Sequence, residues 1–316
     1  MTDVNRMRLL AVTTCTDRKK YPVLPSLDAS SLPPASQSSV SRTWRRRIKA
    51  AHAVGSANSV YCGRSFQEAA SAARAGSADF RIISGGLGLI RSDEEIPSYS
   101  LSLVRQSSEY IGSRVVGPPF NAPQWWSEIQ PNHEVAPLAA SIHSNRNAIA
   151  VIGISNTYLS LVANDLASLD EDDLERVRLI GMGIETACPP KLRNCILPYD
   201  DRLDGPDSPI PGTRGDFSSR AMRHFIEHIF PDHKSGSIAV HKAAVYHCLG
   251  KWRHPKLISR PSKTDEEIIR LIKKNWKAIE GKSSLGLRYL RDVEKIACEQ
   301  GRFRGLFHRV AKEILS

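Results

Sequence analysis

Chemically capable side chains follow short apolar runs at several points of this sequence. Cys15, Thr16 and Lys19 follow the run at 9–14, and Ser84 follows the run at 80–83. If those runs are parallel strands, the side chains share one pocket, because ligands bind at the carboxyl ends of parallel strands. The residues predicted to bind substrate are Cys15, Thr16, Tyr61, Gly63, Arg64, Ser84, Gly85, Gly86, Tyr99, Ser155, Asn156 and Tyr199.

The glycine-rich segment SGGLGL at 84–89 fits no established nucleotide motif. It is neither GxGxxG nor a Walker A sequence, since it lacks the Gly-Lys-Ser/Thr ending. Two interpretations stay open for Gly85 and Gly86. They form a tight turn, or they allow backbone N–H groups to approach a base or a phosphate closely. Cys15 is likewise either a small buried residue or part of a pocket wall, and nothing selects one of the ten histidines as its base.

Two acidic clusters are candidates for catalysis, and each is also typical of a solvated loop. Asp93 begins the run 93–95 after the glycine segment, and Asp201 lies in the proline-bounded segment 198–206. Such a carboxylate stabilises positive charge on a sugar or activates a water when an N-glycosidic bond is cleaved. We expect Asp201 to carry catalysis, because a short stiff loop holds it, and Asp93 to position the pocket.

The elements that position these residues alternate along the chain. Strands are predicted at 9–14, 59–62, 80–83, 148–154 and 177–182, and helices at 43–54, 67–74 and from 157 to about 169. A Ser/Pro-rich surface connection is expected at 23–41. This alternation predicts an α/β fold whose mostly parallel sheet carries helices on both faces.

The last 66 residues form a second predicted domain, 251–316, after an α/β domain at 1–250. A capping box at 264–267 and three amphipathic stretches predict a small helical module. It holds 17 Lys/Arg against 8 Asp/Glu, a charge of +9, and the first 250 residues hold +2. A basic face of this kind favours a polyanionic partner. The predicted DNA-contacting residues are Arg45, Arg46, Arg47, Lys49, Lys282, Arg288, Arg291, Arg302 and Arg304.

Composition excludes several classes of protein. No apolar run approaches the roughly 18 residues of a membrane-spanning helix, and the N-terminus lacks a signal-peptide pattern, so a cytoplasmic location is expected. The six cysteines form no CxxC pair and have no zinc-finger spacing. No metal and no cofactor are therefore predicted, and the oligomeric state is left open.

Four segments together carry a family resemblance over roughly residues 8–230. TTCTDRKKYP, VYCGRSF, IISGGLGLIRSDEEIPSYSLSL and VIGISNTYLSLV resemble, in order and spacing, a bacterial family related to the YaaA-type proteins. Similar segments occur in an archaeosine synthase domain whose fold looks like uracil-DNA glycosylase. The chain has Thr-Cys-Thr where relatives show Ser-Cys-Ser, and two glycines where an alanine is usual. The matching positions are Cys15, Thr16, Tyr61, Gly63, Arg64, Ser84, Gly88, Leu89, Asp93 and Tyr99, with Ser155, Tyr158, Tyr199 and Asp201 in the later segments.

The resemblance implies a base-handling or DNA-binding domain with a uracil-DNA-glycosylase-like fold. The function we expect is a DNA N-glycosylase that flips out and excises a modified base, with a role in defence against phage DNA. Tyr99 or Tyr61 would stack on the flipped base. Two alternatives stay open: a non-enzymatic DNA-binding protein of stress response or repair, and a transferase that exchanges or modifies a base on tRNA or DNA.

Overall fold

The computed structural model describes residues 8–131, 135–256 and 260–315. The chain divides into two compact units between Pro255 and Lys256, five residues beyond the boundary predicted from the sequence. Within the described residues, no helix is both long and apolar enough to cross a membrane.

The first unit is built on a five-stranded sheet in the order β4-β3-β1-β6-β7. β1, β3, β6 and β7 are mutually parallel, and β4 returns antiparallel to β3. The predicted α/β class and mostly parallel sheet are confirmed. The strands are β1 (Arg8–Thr14), β2 (Gly55–Ser56), β3 (Asp79–Ser84), β4 (Gly88–Arg91), β5 (Glu95–Ile96), β6 (Ala148–Gly153) and β7 (Val177–Ile180), of which β2 and β5 pair separately.

Helices surround this sheet. They are α1 (Gln37–Ala50), α2 (Ala57–Val60), α3 (Arg64–Ala75), α4 (Ala122–Ile129), α5 (Pro137–Ser144), α6 (Asn156–Ala167), α7 (Glu171–Glu175), α8 (Phe217–His224) and α9 (Ile238–Leu249). α3 packs on β1, β3 and α8, whereas α4 packs on α1, α6 and β4. The connections β1 to β3 and β6 to β7 run in opposite directions from the sheet centre, so right-handed crossovers put α3 and α6 on opposite faces.

The segment predicted as a strand at 59–62 is instead the short helix α2 followed by one isolated bridge. Ala57 N–H donates to the Glu94 carbonyl (2.8 Å), and Tyr61 pairs only with Lys19. Val60 and Tyr61 are fully buried in this position. A run of four residues does not distinguish a strand from a buried helical turn, which is why the sequence prediction was wrong here.

The predicted surface connection at 23–41 is more ordered than its composition indicates. Two 3-10 turns occupy Pro25–Leu27 and Ala29–Ser31, and α1 begins at Gln37, six residues before its predicted start. The Asp28 side chain caps the second turn by accepting from Ser30 N–H (2.7 Å). Leu27, Ala29 and Leu32 are buried, so this segment contributes to the core.

The second unit contains α10 (Asp265–Lys274), α11 (Ser283–Asp292) and α12 (Gln300–Leu315). Its own core includes Ile268, Phe303 and Val310. The capping box is present, since Thr264 Oγ1 accepts from Glu267 N–H (3.3 Å) and the Glu267 carboxylate accepts from Thr264 N–H (2.9 Å). α11 is shorter than the predicted 284–300, because the chain after it turns into an extended bridge between Ser262 and Ala297.

Candidate functional site

The loop after β1 lies at the carboxyl edge of the sheet. Cys15 N–H donates to the Ile83 carbonyl at the end of β3 (3.0 Å). Two further backbone bonds fasten the loop to the segment around α2: Lys20 N–H to the Val60 carbonyl (2.8 Å) and Cys62 N–H to the Arg18 carbonyl (3.1 Å). These bonds, with the bridge between Lys19 and Tyr61, fix the backbone of the intervening Lys19 at this edge.

Cys15 contacts a tyrosine of helix α6. Its Sγ lies 3.0 Å from the Tyr158 hydroxyl, on the first turn of α6. Both side chains are half-buried, so they reach the surface of the protein. Burial, with added repulsion from Cys15, raises the pKa of Tyr158 well above its usual value and keeps the hydroxyl protonated. The protonated Tyr158 hydroxyl can donate a hydrogen bond, and part of each side chain is exposed.

Beneath the pair lies a buried chain of three hydroxyl groups. The Tyr99 hydroxyl is 2.6 Å from Ser84 Oγ and 2.8 Å from the Tyr61 hydroxyl. Ser84 Oγ also accepts from Gly86 N–H (3.2 Å) and Leu87 N–H (3.0 Å). Burial raises the pKa of both tyrosines, so the chain stays neutral. It fixes the end of β3 against the segment that carries Tyr99.

Replacing Tyr99 with phenylalanine is expected to lower the free energy of unfolding by about 1–3 kcal/mol, because the buried Tyr61 hydroxyl loses its partner. The double variant Tyr61→Phe/Tyr99→Phe should cost less than the sum of the two single changes, since the Tyr61 hydroxyl that Tyr99→Phe leaves without a partner is then absent. Urea unfolding measures both values. Tyr246→Phe, on an exposed side chain, is the control. Strict additivity would contradict the coupling.

Lys19 covers the Tyr99 ring. Its Nζ lies 4.3 Å from the Tyr99 ring centroid and 6.0 Å from that of Tyr61. Burial lowers the pKa of Lys19, and the charges of Cys15 and Asp17 oppose this shift only in part. Among the described residues, no carboxylate oxygen lies within 4.0 Å of Nζ to form a salt bridge.

The glycine turn is a packing feature and not a ligand cradle. The carbonyls of Gly85 and Gly86 accept from the indole N–H groups of Trp125 (2.8 Å) and Trp44 (2.7 Å). A Cβ on Gly86 would lie 2.7 Å from the Tyr99 ring. Since the N–H groups of Gly86 and Leu87 already bond to Ser84 Oγ, they are not free to bind a phosphate. The structure thus supports the tight-turn interpretation of these glycines.

Two helix N-termini point at the same edge. Neither Gly63 at the start of α3 nor Ser155 at the start of α6 provides a side-chain cap. Gly63 packs so closely on Thr16 that a Cβ would lie 3.0 Å from the Thr16 Cβ. Uncapped N–H groups and the helix dipole favour an anion at such positions. Arg64 adds a half-exposed positive charge, held by Asp216 (3.1 Å) and the Pro211 carbonyl (2.6 Å).

Two predicted substrate-binding tyrosines are unavailable to a ligand, and two other predicted site residues are exposed at the start of α6. Tyr61 and Tyr99 are fully buried, so neither can stack on a flipped base as predicted. Ser155 and Asn156 are exposed, and the Asn156 amide donates to the Gly183 carbonyl (3.1 Å). Gly88 has a positive φ of 82° and begins β4, where its neighbour Leu89 donates to Gln130 (3.1 Å).

The two predicted catalytic carboxylates each have another partner. Asp93 pairs with Arg91 (2.6 Å) beyond the end of β4, next to Phe80 at the start of β3. That position is about 13 Å from Ser84, since four residues of strand separate them. The structure does not bring Asp93 to the pocket. The Asp201 carboxylate lies 2.7 Å from His254 Nδ1, and both side chains are partly exposed. No described contact links Asp201 to Cys15.

Tyr199 belongs to a different polar group, in which one histidine contacts both this tyrosine and a cysteine. Its hydroxyl lies 2.8 Å from His224 Nδ1, and His224 Nε2 lies 3.6 Å from Cys248 Sγ. Burial lowers the pKa of His224 to about 4 and raises the pKa of the Cys248 thiol. The pair is therefore neutral at pH 7. Sequence reasoning had no signal for it, because the contact joins α8 to α9 through the fold.

The basic helix α1 forms one wall of a cleft of about 630 Å³. Its exposed cations Arg42, Arg46 and Lys49 line the cleft, and Glu94 and Glu95 lie on the other side. Arg45 also lines it and donates to the Pro131 carbonyl (3.2 Å). Arg47 is not part of the cleft. It donates to Ser31 Oγ (2.8 Å) and the Ser26 carbonyl (3.1 Å), so it holds the 3-10 turns.

In the second unit, three arginines line a separate cleft of about 460 Å³. Arg260 Nε donates to the Arg291 carbonyl (2.8 Å), Arg291 donates to the Cys298 carbonyl (2.8 Å), and Arg302 pairs with Asp265 (2.6 Å). The remaining predicted DNA-contacting residues of this unit lie outside the cleft. They are Lys282, which pairs with Glu280, together with Arg288 and Arg304.

A potential metal-ligand cluster lies elsewhere in the first unit. Single ligand atoms of His143, Asp170 and Asp173 lie within 4.8 Å of one another. Asp173 already bonds to His143 Nδ1 (2.9 Å) and to Arg176, and Asp170 caps α7 through Asp173 N–H (2.7 Å). These bonds stabilise the end of α7, and we assign no metal to the cluster.

Compared with known proteins, the chain matches no protein-family model, no curated protein and no solved structure. The arrangement of its own residues therefore carries the functional argument.

Proposed function

We propose that this protein is a DNA N-glycosylase that binds a flipped nucleotide at the carboxyl edge of its sheet and releases a modified base. The supporting observation is the accessible cluster of Cys15, Tyr158, Thr16 and Lys19 between two uncapped helix N-termini. A nucleotide has the parts this cluster would bind. It has a planar base, hydrogen-bonding edges, a sugar and an anionic phosphate.

Each part of the nucleotide has a suitable partner in the site. The phosphate would bind the free N–H groups at the start of α3 or α6, with Arg64 beside them. The base would lie against Tyr158, the half-buried aromatic residue of the cluster, and bond to its hydroxyl or to Thr16. The buried hydroxyl chain of Tyr61, Tyr99 and Ser84 lies beneath this binding site and would not contact the ligand.

The cleft along α1 would bind the DNA backbone, because phosphate contacts give affinity without reading sequence. We expect the variant Arg46→Gln/Lys49→Gln to reduce the slope of log affinity against log salt by about 2, at roughly 0.9 per lost phosphate contact. Fluorescence anisotropy over a salt series measures the slope. Arg74→Gln/Lys234→Gln removes the same charge from exposed positions outside the cleft. An equal effect of both double variants would contradict a specific role for α1.

The activity is tested by incubating the purified protein with several naturally modified phage DNAs and with unmodified DNA. A glycosylase releases free base, which mass spectrometry identifies, and leaves abasic sites that alkali cleaves. A transferase instead leaves a nucleoside with a new base or side group, and a binding protein leaves the DNA unchanged. Binding of every DNA without release of a base from any of them would refute the proposal.

A further inference from the structure

We infer that Lys19 is the nucleophile of the site and forms a Schiff base with C1′ of the deoxyribose, giving the protein a strand-cleaving lyase activity beside base release. This inference rests on the proposed glycosylase function. The sequence pattern does not predict this activity, and the predicted carboxylates do not account for it.

The amine of Lys19 is placed at the carboxyl edge of the sheet. Lys19 lies in the loop after β1, four residues from Cys15, and the bridge between Lys19 and Tyr61 fixes its backbone. Its Nζ lies over the Tyr99 ring at 4.3 Å. A lysine fixed at the carboxyl edge of the sheet stands where the sugar of a flipped nucleotide would lie.

The electrostatic surroundings of the Lys19 amine favour nucleophilic attack. A lysine attacks carbon only as the free base, so an ion pair with a carboxylate would suppress its reactivity. Within the described residues, no carboxylate oxygen lies within 4.0 Å of Nζ, whereas Lys263, Lys273 and Lys282 all form such pairs. Partial burial also disfavours the ammonium form, which lowers the pKa of Lys19.

The two carboxylates predicted to be catalytic each have another partner. Asp93 is at the opposite edge of the sheet, and Asp201 is bonded to His254. Cys15 is also close to the site, but its sulfur contacts the Tyr158 hydroxyl at 3.0 Å. Lys19, which is half-buried, is thus the amine that the cluster offers as a nucleophile.

The reaction balances without an oxidant or a reductant. The amine attacks C1′, a C1′–N bond forms, and the bond between C1′ and the base breaks, with the base leaving with the electron pair and taking up a proton. Opening of the sugar ring gives the C1′=N Schiff base and a protonated O4′. Loss of a proton from C2′ expels the 3′-phosphate, and water hydrolyses the imine to restore Lys19.

The test uses the full-length protein and an oligonucleotide with one abasic site, whose C1′ aldehyde condenses with an amine whatever base was lost. Sodium borohydride reduces the Schiff base to a stable crosslink, and peptide mass spectrometry locates it. We expect the crosslink at Lys19. Lys19→Arg keeps a cation over Tyr99 and should abolish that crosslink, while Lys20→Ala, at the exposed neighbouring lysine, should retain it.

Binding of the abasic DNA by Lys19→Arg, together with an unchanged melting temperature, would show that the variant is folded. A crosslink spread over other lysines, or one that persists in Lys19→Arg, would overturn the inference. Release of free base from modified DNA without any crosslink at Lys19 would also overturn it and would leave the glycosylase proposal intact. A crosslink at Lys19 without base release from any modified DNA would support the amine chemistry and refute the glycosylase proposal.

Discussion

Replacing Arg220 with methionine is expected to lower the free energy of unfolding by about 3–5 kcal/mol. The Arg220 side chain is fully buried, and its guanidinium pairs with Asp216 (2.6 Å) and with Asp204. It also donates to the carbonyls of Leu203 (3.1 Å) and Thr213 (2.9 Å). Removing the cation leaves buried carboxylates and carbonyls without a partner, and this loss is the source of the destabilisation.

Arg253→Met is the matched control for this prediction. Arg253 also pairs with an aspartate of the same loop, Asp207 (2.6 Å), but its side chain is 75% exposed. An exposed pair contributes little to stability, so no measurable change is expected. Urea unfolding of both variants at pH 7 measures the difference. Equal effects of the two substitutions would show that the Arg220 cluster is no more stabilising than a surface pair.

The Arg220 cluster also connects the core to the candidate site. Asp216 bonds to Arg220 through one carboxylate oxygen and to Arg64 through the other, and Arg64 stands at the start of α3. Asp216 therefore positions a cation beside the proposed phosphate site.

Sequence reasoning predicted the sheet because each parallel strand is a short, buried apolar run. β1, β3, β6 and β7 lie within a residue or two of their predicted bounds. The same reasoning placed Cys15, Thr16 and Ser84 at one edge, since residues that follow parallel strands meet there. These features depend on local pattern and on a general rule of topology.

The features that the sequence did not predict depend on contacts between distant segments. Tyr158 meets Cys15 across 143 residues, and His224 meets Cys248 through the packing of α8 and α9. Nothing local to Tyr61 or Tyr99 indicates that they bond to each other and lie fully buried. Asp93 was predicted to position the pocket because β4 was not predicted as a strand, and β4 carries the chain to the opposite edge.

Two buried histidines should make the protein less stable in mild acid. His224 and His241 are at most 1% exposed, and burial lowers the pKa of each to about 4. In the unfolded chain a histidine has a pKa near 6.5, so the unfolded state binds more protons between those two values. The stabilisation that comes from keeping these two histidines neutral is complete above pH 6.5 and is lost as the pH falls toward 4. Lowering the pH from 7 to 5 should reduce the free energy of unfolding by about 2 kcal/mol for each histidine.

The contacts of His241 require its neutral form. His241 Nδ1 accepts from Arg178 Nε (2.8 Å), and its Nε2 donates to the His233 carbonyl (2.8 Å). A second proton on Nδ1 would face the Arg178 guanidinium directly. The carboxylates with lowered pKa, such as Asp207 at about 2, have a pKa of roughly 4 in the unfolded chain, so they reduce stability mainly below pH 5. The window between pH 7 and pH 5 therefore isolates the histidines.

Urea unfolding at pH 7, 6 and 5 tests this prediction through the slope of stability against pH. His224→Gln should be less stable than the natural chain at pH 7, because it loses buried packing, yet its stability should fall about 2 kcal/mol less between pH 7 and pH 5. His254→Gln is the comparison variant, at a histidine whose side chain is 65% exposed. If His224→Gln and the natural chain lose the same stability over this window, His224 is protonated in the folded state, and the neutral contact with Tyr199 does not hold.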